Sequence, residues 1–469
     1  MKFRSTLALA ALSTALVAPH VAMARTAHRH HGAPAEGGLT TTEQLRDAQQ
    51  QIAQLQAQLN SLQARMDQLA NGGVASPTQV AQAQAEAQVA EAKADKALAT
   101  ASDAKAKAEK PAVPKAVAWA ADTSISGRMY FNASAVTHEV NGSKVGNTDN
   151  GGGYNIKRFY LGVDHKFNDV FSANLTTDVS AVSGVGMSLY IKKAYLQAKL
   201  NPAFVVRLGS ADMPWIPYVE GIYGYRHIEQ TLADRTKFGT SADWGVHVSG
   251  DLAGGIVSYQ VSAVDGAGYR APQFSKSIDL EGRLSAKYKG FNVAVGGYTG
   301  KLGKNLQGTA PLYTYNRFDA LAAYQGKAGA MPFTLGVEYM WAKDKAFNST
   351  APIAVGSAED SANGWSAFAS VSPAKKWSVF GKYEWVKPSN DLHPTFKEDY
   401  FNVGIQYSPT KIVDLALVYK RDQAINGAYA TGDLQSGVIG CSTSATVACA
   451  TGVTKGTYDE IGLFGQFRF

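Results

Sequence analysis

The sequence predicts an all-β transmembrane antiparallel β-barrel of sixteen strands, preceded by an α-helical coiled-coil stalk. Three observations carry this expectation. Hydrophobicity repeats every second residue from about position 122 to the end of the 469-residue chain. Short and long connections alternate between the repeats. Ahead of them lies a segment with apolar residues at heptad spacing. A strand with one face on lipid and the other on water reads with period two, and a coiled-coil seam reads with period seven.

The chain opens with the cationic stretch Met1-Lys2-Phe3-Arg4, followed by an apolar run from Leu7 to Ala18 and the small-x-small site Ala22-Met23-Ala24. The run is shorter than the ~20 residues a membrane-spanning helix needs. Residues 1–24 therefore read as a secretory signal peptide. No cysteine lies near the cleavage site to carry a lipid. Residues 25–41 read as a disordered leader, with His28-Arg29-His30-His31 as filler rather than a metal-scavenging tract.

Residues 42–70 carry the heptads. Leu45, Ile52, Leu59 and Met66 fall seven apart, and Ala48, Leu55, Leu62 and Leu69 fill the second seam position. Asn71-Gly72-Gly73 ends this helix, and Ser76-Pro77 restarts one. The second helix, 78–110, keeps the spacing with alanine alone: Ala83, Ala87, Ala90, Ala94, Ala97, Ala101, Ala104 and Ala108. Alanine favours helix but buries little area, so this segment suits either a thin bundle or a solvated spacer. Pro111 and Pro114 stop it within a 111–121 linker.

From 122 to 469 the period is two. Ile125, Gly127, Met129, Phe131 and Ala133 alternate with Ser126, Arg128, Tyr130 and Asn132. Sixteen such spans are placed at 122–137, 154–167, 169–180, 185–200, 203–210, 242–250, 254–264, 277–289, 291–300, 315–326, 331–342, 360–372, 376–387, 397–408, 411–421 and 456–469. Turn residues such as Asn201-Pro202, Lys289-Gly290 and Pro409-Thr410 make one set of connections short, and long loops take the alternate places. That asymmetry suits a bacterial outer-membrane barrel with both chain ends periplasmic. The last strand ends on Phe469, and the 46 Gly, 22 Tyr and 2 Cys fit a wall with one oily and one wet face.

The third long loop, 211–241, mixes Trp215, Tyr218, Tyr223 and Tyr225 with Arg226, His227, Glu229, Asp234, Arg235 and Lys237. An aromatic loop is costly to leave in water. Folded inward, it would pack its apolar side on the wall and set a constriction with those six charged and polar residues. Alternation also turns Arg128, Arg158, Lys193, Arg207, Arg283 and Lys382 toward the lumen, where bases outnumber acids. Such a field concentrates small anions.

The segments RFYLGVDHKFNDVFSANLTTDVS at 158–180, KKAYLQAKLNPAFVVRLGSADMPW at 192–215 and DRTKFGTSADWGVHVSG at 234–250 resemble the phosphate-selective porin family in its broad sense. Arg158, Gly162, Gly209, Arg235, Gly239 and Gly245 occupy comparable places. The resemblance implies an outer-membrane homotrimer of sixteen-stranded barrels that takes up small hydrophilic solutes passively, with some preference for anions. The front half is similar to porins bearing a periplasmic coiled coil, including sugar and dicarboxylate porins. A stalk of that kind would reach peptidoglycan or other periplasmic partners.

The net charge of +7 is small and spread along the chain, which argues against nucleic acid. No HExxH, GxSxG, phosphate loop or CxxC motif occurs, so no catalytic residue, metal or cofactor is expected. The alternatives are an outer-membrane hydrolase using His227, Glu229 and Asp234, and a mainly structural envelope tether. Cys441 and Cys449, both in the long last loop, are candidates for a disulfide in an oxidising compartment.

Overall fold

In the computed structural model the described residues are 119–145, 150–182, 186–429, 431, 439 and 452–469, with isolated helical positions between 50 and 96. The remainder of the expected signal, leader and stalk, together with Cys441 and Cys449, lies outside the described residues.

Sixteen long strands form one closed sheet. They are β1 (Thr123–Val140), β2 (Gly151–Lys166), β3 (Phe171–Val182), β4 (Gly186–Asn201), β5 (Phe204–Asp212), β6 (Ala242–Leu252), β7 (Val257–Val264) and β8 (Asp279–Tyr288), followed by β9 (Phe291–Gly300), β10 (Tyr315–Ala328), β11 (Met331–Lys343), β12 (Ser361–Ala374), β13 (Trp377–Lys387), β14 (Lys397–Thr410), β15 (Val413–Ile425) and β16 (Lys455–Arg468). Each pairs antiparallel with the next, and β16 returns to β1 with Arg128 opposite Arg468 and Val140 opposite Gly456. The two-residue strand Ser143–Lys144 only folds back on the end of β1. Gly127 and Phe469 exchange both backbone hydrogen bonds at 3.0 Å, sealing the seam. Closure matters because lipid offers no partner for a free strand edge. Among the described residues no helix is long and apolar enough to cross a membrane.

Alternation decides what each face meets. On β10, Phe318 is 45% exposed on the outer surface, while Arg317 at 3% and Asp319 at 0% point inward. On β16, Ile461 and Leu463 lie on the outer surface, and Glu460, Phe464 and Gln466 are buried inside. The expected sixteen spans therefore match the sixteen strands in order.

Two details differ from the expectation. The connection between β3 and β4 is not long: the ladder runs from Phe171 opposite Ala198 to Val182 opposite Gly186. Regular alternation also breaks at five places among the described ladders, and two of these carry bases toward the lumen. Tyr130 faces Arg158 but Phe131 faces Ile156, and Thr176 faces Lys193 but Thr177 faces Ile191. These two breaks are β-bulges that insert one residue each, Lys157 and Lys192 respectively, and a bulge re-aims a side chain.

Candidate functional site

The loop between β5 and β6 lies inside the barrel. Helix α1 (Ile216–Tyr223) carries proline in its first turn, where the missing N–H costs nothing, and ends on Gly224 at φ 80. The short α2 (Leu232–Arg235) follows. Met213, Trp215, Ile216, Val219, Ile222, Tyr223, Leu232 and Phe238 form one buried cluster with inward residues of the wall from Val264 to Val386, including Tyr298, Tyr315, Met340 and Phe368. The hydrophobic effect thus accounts for the aromatic content of this loop.

Polar contacts then fix its register on the wall. The Arg283 guanidinium donates to the Pro214 carbonyl at 2.9 Å and lies 4.0 Å from the Tyr218 ring. Trp215 donates through its backbone N–H to Glu281 at 3.0 Å and through its indole to Glu338 at 2.8 Å. Arg317 and Tyr315 both donate to the Phe238 carbonyl, at 2.7 and 2.8 Å. Gly239 must lack a side chain, because a Cβ there would lie 2.6 Å from Arg317 Nη1. Gly209, at φ +123, brings its backbone against Ala194 just before the loop begins.

Arg235 is the deepest of these anchors. Fully buried, it donates to Glu384, to Glu398 at 2.6 Å and to Asp422 at 2.9 Å, and stacks 4.3 Å from the Tyr400 ring. Lys382 bridges Glu384 at 2.8 Å and the Gln230 carbonyl. Lys420 holds Ile228 through its carbonyl at 2.8 Å and Glu229 at 3.1 Å.

The six expected constriction residues are consequently divided. Arg235, Glu229 and His227 are buried in docking contacts; the His227 Nε2 meets Gln406 at 3.0 Å. Burial pushes the His227 imidazole down to about 4, so it stays neutral near pH 7. Arg226 pairs with Glu220 at 2.7 Å and Asp234 at 3.6 Å, and Gln230 donates to Asp234 at 2.8 Å. His227, Glu229 and Asp234 thus each have a different partner and form no catalytic trio. Lys237 is exposed. Among the described residues no group of three or more His, Cys, Asp or Glu is arranged to hold a metal ion.

Beside the docked loop the lumen stays open, and two of its cavities are lined by charge. One, of about 720 Å³, is lined by Arg128, Tyr130, Tyr160, Lys192, Lys193, Asp212, Glu220 and Arg226, and extends to Arg468. The other, of about 440 Å³, is lined by Arg158, Asp234, Lys237, Tyr269, Arg270 and Lys304. Six bases face three acids in the first, and four bases face one acid in the second. Arg158 pairs with Asp178 at 3.1 Å and donates to the Tyr190 hydroxyl at 2.8 Å. Lys193 pairs with Asp212 at 3.0 Å, Arg207 donates to Gln197 at 2.8 Å, and Arg128 reaches the Tyr130 hydroxyl at 3.4 Å. Arg283 and Lys382 face inward as expected, but they clamp the loop.

The bulges and loops bring further bases into the lumen, among them Lys157, Lys192, Arg270 and Lys304. Lys157 and Lys192 sit on the bulges, which no alternation pattern registers; Lys192 Nζ lies 4.7 Å from the Tyr160 ring. Arg270 comes from a loop and stacks 4.4 Å from the Tyr190 ring. Its only sequence signal was its place in GAGYR, too weak to use.

The anion-selective porin from Comamonas acidovorans superposes with a TM-score of 0.52 at 12% identity, over 74% of this chain and 99% of that one. The chain has a porin-type fold. The outer membrane channel DcaP of Acinetobacter baumannii gives a TM-score of 0.47 at 11% identity, over 74% and 97% of the two chains. Residues 128–298 match the family described as phosphate-selective porin O and P. That stretch holds Arg158, Gly162, Gly209, Arg235, Gly239 and Gly245. No curated protein sequence matches. Likeness at this identity speaks to the porin-type barrel fold alone, and the chemistry of its passage rests on the residues above.

Proposed function

We propose that this barrel lets small hydrophilic solutes diffuse passively across the outer membrane, with a mild preference for anions, through a lumen narrowed by the 211–241 loop. The observation that carries the reading is a separation of charge. Glu281, Asp319, Glu338, Glu384, Glu398 and Asp422 lie buried beneath the loop, most of them bonded to Arg235, Arg317 or Lys382. The open side keeps an excess of bases. In a low-dielectric cleft, one sign of charge focuses the field on passing ions.

The test is single-channel recording across a salt gradient. Large steady steps with an anion-selective reversal potential support the reading, and a cation-selective result rejects the preference. A pH step sharpens it. Lys345 lies 4.6 Å from the Phe238 ring, and burial together with Lys237 pushes its ammonium down to about 7. Raising the pH from 6 to 8 discharges a group beside the passage, so anion preference should fall; Lys345→Gln should flatten that step. His227, neutral throughout this range, should contribute nothing.

A second reading, a sugar or dicarboxylate channel, is favoured by the tyrosines of the same wall. Tyr130 packs edge-on to Tyr160 at 5.7 Å, and Tyr190 stacks on Tyr269 at 5.9 Å. Hydroxylated or two-headed solutes would find both hydroxyls and cations there.

The working unit is proposed to be a homotrimer, with 42–70 and 78–110 as a parallel three-stranded periplasmic stalk able to contact the cell wall. An amphipathic helix of that length exposes its apolar seam unless it finds a partner. Barrels in one membrane also hold identical stalks at high effective concentration. Deleting 42–110 should leave a conducting barrel but weaken the oligomer. Particle mass in detergent decides this, and a monomeric full-length particle would defeat both trimer and stalk.

A further inference from the structure

The outer surface of the barrel carries a pair of like charges that the lumen reading does not use. On β13 the inward residues are Lys382, Glu384 and Val386, so Trp385 and Lys387 face outward. On β14 the inward residues are Glu398, Tyr400 and Asn402, so Lys397, Asp399 and Phe401 face outward. Val386 pairs with Glu398, and the next position of this antiparallel register sets Lys387 opposite Lys397. Like charges directly opposite one another on adjacent strands are destabilising.

Neighbouring outward bases are neutralised locally. Lys343 pairs with Glu359 at 3.0 Å, and Arg421 with Asp459 at 2.9 Å. Lys387 and Lys397 have no acid within ion-pair distance among the described residues. The nearest outward carboxylate along the strand, Asp399, accepts the Tyr383 hydroxyl at 2.9 Å. The Lys387 ammonium instead lies 5.8 Å from the Trp385 ring centre.

Their height on the barrel is equally specific. The β13–β14 connection lies at the end opposite Phe469 and the short turns, the end that faces outside when both chain termini are periplasmic. Below the lysines, the exposed Tyr383, Val403 and Ile405 and the half-buried Trp385 form the outward apolar and aromatic band. Aromatic residues of that kind mark the lipid–water interface. The pair therefore stands where lipid headgroups lie, with two ammonium groups that call for an anion.

We propose that Lys387 and Lys397 form a docking site for the phosphate of an outer-leaflet lipid headgroup, with Trp385 and Phe401 beneath it against the acyl chains. A phosphate between the two ammoniums turns the repulsion into two charge-assisted contacts. The barrel is thereby stabilised by the membrane it sits in, independently of what passes through the lumen.

The experiment uses the full-length protein in detergent and three probes: an acylated diglucosamine bisphosphate lipid, the same lipid without its phosphates, and inorganic phosphate. Lipid retention is read by native mass spectrometry and thermal stability by the heat-induced shift in electrophoretic mobility. The wild-type chain should retain the phosphorylated lipid and melt higher with it. Each lysine at an anionic surface contributes about a fivefold change in affinity, so Lys387→Gln with Lys397→Gln should bind roughly 25-fold more weakly. Lys397→Glu removes the repulsion by itself; it should melt higher than wild type without lipid and gain nothing when the phosphorylated lipid is added. Equal retention by wild type and the double variant overturns the proposal, as does equal retention of the lipid lacking phosphates. Inorganic phosphate raising the melting point as much as the lipid would reassign the site to a free anion. A change in particle mass in the double variant would make this face a contact between protomers instead.

Discussion

Arg235→Met should release the inward loop from the wall. The substitution leaves Glu384, Glu398 and Asp422 without the guanidinium that bonds all three, at positions where none is more than 2% exposed. Removing one partner of a buried ion pair costs about 3–5 kcal/mol, mostly because the remaining charge has lost its compensation. Lys382 can still answer Glu384, but it does not reach the other two. The barrel ladders do not depend on Arg235, so the strands should persist while the docking of α2 is lost. Single channels should then show larger and noisier conductance, and the heat-induced mobility shift should occur at a lower temperature. The decisive control adds Glu384→Gln, Glu398→Gln and Asp422→Asn to Arg235→Met. Neutralising both sides of a buried network is far less costly than stripping one, so quiet channels should return. Unchanged conductance in Arg235→Met alone would mean that the hydrophobic cluster around Trp215 holds the loop without help from charge.

Neutralising the open side of the passage should have the second largest effect. Lys192, Lys237 and Arg270 line the cavities and have no acid at ion-pair distance among the described residues, so replacing them with glutamate leaves none of those carboxylates stranded. The triple variant cancels the excess of bases facing the solute, since ten bases against four acids become seven against seven, and anion selectivity should be lost. The change should be clear near 0.1 M salt, where the Debye length is ~10 Å, and should shrink near 1 M, where it is ~3 Å. Lys289→Glu, at the short turn between β8 and β9, is the control and should leave the reversal potential in place. Arg158 is a poorer target, because Asp178 beside it is fully buried and would face a second carboxylate.

The two experiments separate roles that the sequence shows as a single population of charges. Arg226, His227, Glu229, Asp234, Arg235 and Lys237 were expected together at a constriction, yet Arg235 and Glu229 hold the loop to the wall while Lys237 lies open. Arg283 and Lys382 were expected to line the lumen, and both instead grip loop carbonyls.

What the sequence determined by itself is local. Side chains on a strand change face at every residue, so sixteen amphipathic spans and their intervening turns could be read in order along the chain. The aromatic loop could be assigned to the interior because no other place would cover Trp215 and its neighbours. Only the tertiary structure decided which charges meet. Arg235 and Asp422 are 187 positions apart, and nothing in the neighbourhood of either specifies the other. Barrel closure sets β13, β14 and β15 side by side and brings the loop across them. The bulges at Lys157 and Lys192 belong to the same class. An extra residue in one strand is defined only against the partner strand, and its consequence is to turn two more bases toward the lumen.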